Sequence, residues 1–166
     1  MAYVITGSQL QMQPIANTET TQNHALGTIV RAVDPTYGEG EFIYLLGVAS
    51  TVVGLMVTYG PSTYQTALSP NTANLPQPVA IAMSANVASQ YGWYQIGGTA
   101  VVKKTAVAVS PGVKLYQSAT TGRVMSTSAS GKTVMGAISA NAASVASATS
   151  TVLVRLNRPH IQGPIT

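Results

Sequence analysis

Apolar and polar residues alternate with a period of two along much of this chain. Over 79–86, Val79, Ile81, Met83 and Ala85 fall on one side and Ala80, Ala82, Ser84 and Asn86 on the other. Side chains of a strand point to opposite faces in turn, so this predicts a strand. Val152, Val154 and Leu156 likewise oppose Thr151, Leu153 and Arg155, and Val107 and Val109 alternate with Ala106, Ala108 and Ser110. A strand is predicted over 27–33 (GTIVRAV). Others follow at VKLYQ after Pro111-Gly112, RVMS after TTG (120–122), TVMGAIS after SASGK (128–132), and TVLVRLN. The stretch QYGWYQIGGTAVVKKTAVAVS reads as strand, a break at Gly97-Gly98, then strand. No segment has a helical period; even the alanine-rich 141–150 is too mixed with Ser and Thr. Short strands separated by turn signals every ~8–12 residues predict an all-β fold, an antiparallel β-sandwich of jelly-roll type or a small β-barrel.

One segment resists that reading at first. Residues 42–59, FIYLLGVASTVVGLMVTY, carry no charge and come close to the ~20 apolar residues that span a bilayer. Their composition favours strands instead: Val48, Thr51, Val52, Val53, Val57 and Thr58, with Phe42, Tyr44 and Tyr59, suit a pleated surface. Gly47, Ser50, Thr51 and Gly54 interrupt the centre, and no nearby Lys or Arg would set an orientation. The expectation is a hairpin, with strands near 42–48 and 51–58 and a turn at Ala49-Ser50. Tyr44–Val53 and Tyr94–Val102 echo one another, as two similar hairpins of one sheet would.

The two ends look different. Residues 1–25 are rich in Gln, Thr and Asn with isolated apolar side chains, a composition unable to form a core alone. They predict an extended arm that orders on a partner. DPTYGEGE (34–41) reads as a loop, and 60–78, with four prolines, as a long one. The expected organisation is an arm over 1–25, a single all-β domain over 26–156, and a surface tail over 157–166.

Composition sharpens this picture. Of the 166 residues, 46% are hydrophobic but only 7% charged, against about 25% charged in an ordinary soluble domain. A surface so short of charge repulsion fits a protein packed into an assembly. The net charge of +4 is spread over eight scattered basic residues. Nucleic-acid binders concentrate theirs or interleave them with stacking aromatics, so direct nucleic-acid binding is not expected. There is no cysteine, hence no disulfide and no thiolate metal site. The N-terminus has no basic region ahead of an apolar core, which argues against a secretory signal.

Candidate chemistry is sparse. SASGKT (128–133) ends like a phosphate-binding loop, but the first glycine the motif needs falls on Ser126 and no helix is expected after it. Asp34, Glu39 and Glu41 share a loop without the ligand ladder of a calcium site. His24 and His160, the only histidines, lie in the two arms, away from any strand-end pocket. No catalytic, cofactor-binding or metal residues are therefore expected, and no enzyme. Tyr91, Trp93 and Tyr94 around Gly92 could form a sugar-stacking platform, though such residues more often fill a core or a subunit interface.

Two blocks carry a resemblance. GEFIYLLGVASTVVGLMVTY (Gly40–Tyr59) and AMSANVASQYGWYQIGGTA (Ala82–Ala100) resemble structural proteins of phages, with a looser pattern over Val107–Tyr116, Gly122–Val124 and Gly136–Ile138. Together with the low charge, short strands and polar arm, they make the chain similar to the capsid decoration (cement) proteins of tailed bacteriophages. The resemblance implies a non-enzymatic virion protein, made in the host cytoplasm and bound to the outer surface of the expanded head. There it would clamp neighbouring major capsid protein subunits, as a homodimer or homotrimer, without cofactor or membrane contact. The expected capsid or self-contacts are Tyr3, Val4, Ile5, Leu10, Met12 and Ile15 in the arm, Trp93, and Arg158, His160 and Ile161 in the tail. A phage tail or fibre module, or a carbohydrate-binding β module, is the alternative.

Overall fold

The computed structural model describes residues 4–5 and 12–164, the first two by their backbone alone. The described residues form twelve strands and no helix: β1 (Val4–Ile5), β2 (Thr18–Glu19), β3 (Ile29–Asp34), β4 (Gly38–Leu46), β5 (Met56–Tyr59), β6 (Thr66–Leu68), β7 (Val79–Ala82), β8 (Tyr91–Lys103), β9 (Lys114–Gln117), β10 (Val124–Met125), β11 (Thr133–Ser139) and β12 (Thr151–Ile161). They join one antiparallel sheet, in the order β1-β3-β4-β8-β12-β11-β9-β10, which curls into a half-barrel. The all-β expectation holds. No helix among the described residues is long and apolar enough to cross a membrane.

β8 is the spine. Its first half pairs with β4 along one edge, while β2, β7 and then β12 pair along the other. Three apolar clusters pack on the two faces of the sheet. Phe42, Tyr44 and Trp93 pack with Ile15 and Val30; Ile43, Leu45 and Tyr94 pack with Val57 and Ala80; Val102, Leu115, Val134, Val154 and Ile161 form the third. β7 lies between clusters, giving Val79 and Ile81 to one and Ala80 and Ala82 to another. Its alternation thus separates large from small side chains rather than buried from exposed. The alanines let a second layer approach closely.

Several sequence expectations are corrected. Residues 42–58 do not form a hairpin: β4 pairs with β3 and β8, and β5 with β6 and β7. The chain leaves the sheet at Gly47, where a Cβ would sit 2.5 Å from the carbonyl oxygens of Asn86 and Val87. It then turns through Ser50 and Gly54, both at positive φ. Residues 52–53, expected in a strand, are exposed in this loop. The Gly97-Gly98 pair does not break β8. Glu41 pairs with Gly97 but Phe42 with Gln95, so Ile96 is the extra residue of a β-bulge and the strand continues. The 60–78 loop contains β6.

The ends differ too. Residues 12–25 are not a free arm: Gln13 and Ile15 are buried, and β2 pairs with β8. Residues 157–161, expected in a tail, complete β12, because Ile161 fills the third cluster.

Candidate functional site

On one face of the sheet β3, β4, β8, β12 and β11 lie side by side, and this face stays open where its neighbours' covering ends. Arg31, Glu41, Gly97 and Asn157 stand opposite one another in register. A parallel row holds Thr99, Arg155, Ile138 and Lys114. Between them runs a groove, with a charged half of about 580 Å³ around Arg31, Glu39 and Glu41. An apolar half of about 300 Å³ lies around Met135, Ala137 and Ile138. Arg155 and Asn157 line both halves.

The groove exists because strand irregularities coincide there. The β8 bulge sets Gly97-Gly98 in the floor, and Gly98 takes φ +85 with Glu39 O so near that a Cβ would lie 2.3 Å from it. On β11, Gly136 is at φ +72, and a Cβ there would meet Asn157 O at 2.5 Å. Opposite it, β12 has a register shift and puts Arg158 at φ 43, a conformation that costs a bulky residue energy. That twist turns Arg158 toward Glu41, Nε to Oε2 at 3.3 Å. Arg31 closes the network, with Nη1 3.5 Å from Glu39 Oε1 and Nη2 3.4 Å from Glu41 Oε1. The pairs are largely exposed, so each stabilises weakly. Their arrangement holds a neutral, ordered rim.

The aromatic trio is interior. Trp93 and Tyr94 are fully buried and Tyr91 is partly so, so the three do not form an exposed stacking platform for a sugar. Gln13 explains the burial of Trp93: its carbonyl accepts the Trp93 indole N–H at 2.8 Å. Its side-chain oxygen accepts the Tyr44 hydroxyl at 2.9 Å. Its amide donates to Asn17 O and Tyr91 O. His24 packs its ring against Tyr44 and Trp93, at centroid distances of 5.1 and 5.4 Å. Burial raises the Tyr44 phenol above its usual pKa.

The expected contact residues therefore scatter. Trp93, Ile15 and Ile161 are covered by their own chain and are corrected to core residues. Met12 is half-buried against the Trp93 cluster. Val4 and Ile5 pair by backbone with Val33 and Ala32 at the sheet edge. Arg158 and His160 are exposed, Arg158 at the groove. Tyr3 and Leu10 lie outside the described residues.

The other motifs resolve into structure. Ser130-Gly131 is a turn, with Gly131 at φ +72 beside Asn74. Asp34 accepts the N–H groups of Thr36 and Tyr37, fixing the β3–β4 turn. Among the described residues no three His, Asp or Glu side chains gather as a metal site would need.

Lys104, unremarkable in the sequence, is 1% exposed. Its Nζ donates to the carbonyls of Thr105, Val107 and Ser147 at 3.2, 2.8 and 3.3 Å, and burial lowers its pKa. It ties two loops together, a role no local pattern announces.

No known protein-family profile matches this chain, and none of the curated proteins matches it.

Proposed function

We propose that this chain is a non-enzymatic structural protein of a tailed-phage virion, a decoration protein that seats on the outside of the head and links major capsid protein subunits. The observation that supports this reading best is the open sheet face. Ile29, Val33, Met135 and Ile138 are 40–47% exposed there, among few charges that mostly neutralise one another. Exposed aliphatic residues gathered on one face mark a protein-docking surface, and the resemblance of the Gly40–Tyr59 and Ala82–Ala100 blocks names the kind of assembly. Binding only the assembled lattice would stabilise it by mass action, and several weak contacts per copy would add through effective concentration.

The test is co-sedimentation with expanded heads lacking the protein and with unexpanded procapsids. Saturable binding to expanded heads alone, with improved resistance of those heads to heat, is the expected result. No binding to either would end the reading and favour a tail or fibre module. A deletion that probes the arm must stop before residue 12, since Gln13 and Ile15 belong to the core.

A further inference from the structure

The groove carries a charge that this chain cannot cancel. In the row Lys114, Ile138, Arg155, Thr99, both cations are exposed and flank an exposed isoleucine. Among the described residues neither Lys114 nor Arg155 has a carboxylate partner. The neighbouring rim is already closed, two arginines against two glutamates. The chain has four acidic residues in all. Asp34 is buried and capped by backbone N–H groups, and Glu39 and Glu41 are engaged in the rim. A second copy could offer only Glu19, so self-docking would leave the pair unmatched. A polyanion such as nucleic acid fits poorly, because Glu39 and Glu41 border the same groove and no aromatic ring among the described residues lines it for base stacking.

We propose that the apolar half of the groove, from Lys114 across Ile138 to Arg155, is the docking site for an acidic segment of another protein. Its carboxylates pair with the two cations while an aliphatic side chain packs on Ile138 and Met135. The cations stand on strands either side of β11, so their backbones are about 10 Å apart. In an extended segment alternate side chains share a face, so acids at i and i+4 stand about 13 Å apart with an aliphatic residue at i+2 between them. The long Lys114 and Arg155 side chains take up the difference. Such pairs steer encounter and select the partner more than they add raw affinity. The inference deepens the decoration reading and rests on it only for the identity of the partner, a head surface presenting acids beside aliphatic residues.

The experiment has two arms. In the first, the full chain is titrated by NMR with the capped peptide Thr-Glu-Thr-Val-Thr-Glu-Thr, whose two Glu and central Val share one face when extended, and with its Gln-for-Glu counterpart. The acidic peptide is expected to shift the amides of Thr99, Ile138 and Arg155 and to bind at least about tenfold more tightly than the neutral one. The double variant Lys114→Glu/Arg155→Glu should lose that preference. Absence of binding, equal affinity for both peptides, or unchanged binding by the double variant would overturn the proposal.

In the second arm, expanded heads are mixed with wild type, with the same double variant, and with Lys103→Glu/Lys132→Glu, which makes an equal charge change outside the groove. Loss of head binding by the groove variant alone supports the proposal. Equal binding by all three overturns it while leaving the decoration reading intact. If the wild type itself ignores heads, the decoration reading fails and the peptide arm alone judges the groove. Thermal melts of both variants check that the fold is retained.

Discussion

β8 has two halves that obey different rules. From Gly92 to Ile96 every residue is buried, because layers cover both faces of the strand. From Gly98 to Lys103 buried and part-exposed residues largely alternate, since one face has no cover. The first half spends Trp, Tyr and Gln on a core in which Gln13 satisfies the Trp93 indole. The second uses small and β-branched residues on a surface. The bulge at Ile96 and the glycine pair sit at the junction, where the sheet changes from doubly covered to open. The groove is a consequence of that change: where covering layers stop and glycines remove side chains, a hollow is left for another molecule.

The strongest way to break the comparison is Trp93→Ala. It removes the largest buried side chain, leaves the Gln13 carbonyl without its donor and takes away one of the contacts that hold residues 12–24 to the sheet. A loss of about 4 kcal/mol is expected, read as a shifted midpoint in denaturant unfolding. Truncating Ile138 on the open half should change stability by no more than about 1 kcal/mol. Comparable losses at the two positions would mean that the halves are not distinct.

This contrast also explains what the sequence could reveal. Strand after strand was legible where one face is covered, as in β3 and β12, because burial then alternates with the pleat. It was obscured where both faces are covered. Residues 42–48 and 51–58 read as one hairpin because continuous apolarity says nothing about pairing partners. The departure at Gly47 depends on the Asn86–Val87 backbone, far away in sequence. The role of Gln13 was invisible for a similar reason: one amide in a polar segment gives no sign that it will satisfy Trp93 and Tyr44. Of the groove, Glu39 and Glu41 stood out as members of an acidic cluster, the Gly97-Gly98 pair as a break, and Arg158 as a contact. Lys114, Ile138 and Arg155 come together through register across three strands, which no local spacing encodes. Arg158 was expected at a contact surface for its place in a tail and lies at the groove as part of a bulged strand.

The junction itself can be tested with Gly98→Ala. At φ +85 an alanine is strained, and its Cβ would meet a backbone oxygen, which cannot swing aside as a side chain could. The substitution should cost about 2–3 kcal/mol and shift the β4–β8 register near Glu41, seen as displaced amide resonances of Glu41, Gly97 and Arg158. Gly112, also at positive φ but with open space around its Cβ position, is the control, expected to cost about 1 kcal/mol. Equal costs at the two glycines would show that conformation alone, and not the close approach of β4, shapes the groove floor.

A smaller effect at neutral pH, Tyr94→Phe, sharpens the account of the doubly buried half. The Tyr94 hydroxyl lies beside Thr66 and Asn86 without a well-aligned hydrogen bond. Replacing it removes a buried polar group that gains little, so stability at pH 7 should change by no more than about 1 kcal/mol. The difference emerges in alkali. Burial pushes the folded-state phenol up to about 12 from the usual 10. Between those values the folded chain keeps a proton that the unfolded chain has lost, so wild-type stability falls as pH rises through that window and is untouched below it. The variant lacks this contribution, on the order of 2–3 kcal/mol across the full window, while the raised phenols of Tyr44 and Tyr59 still give it a shallower decline. Urea unfolding of both proteins at pH 7 and at steps above pH 10 measures the two slopes. Parallel slopes would mean that water reaches the Tyr94 hydroxyl, and that the first half of β8 is less completely covered than its second half is open.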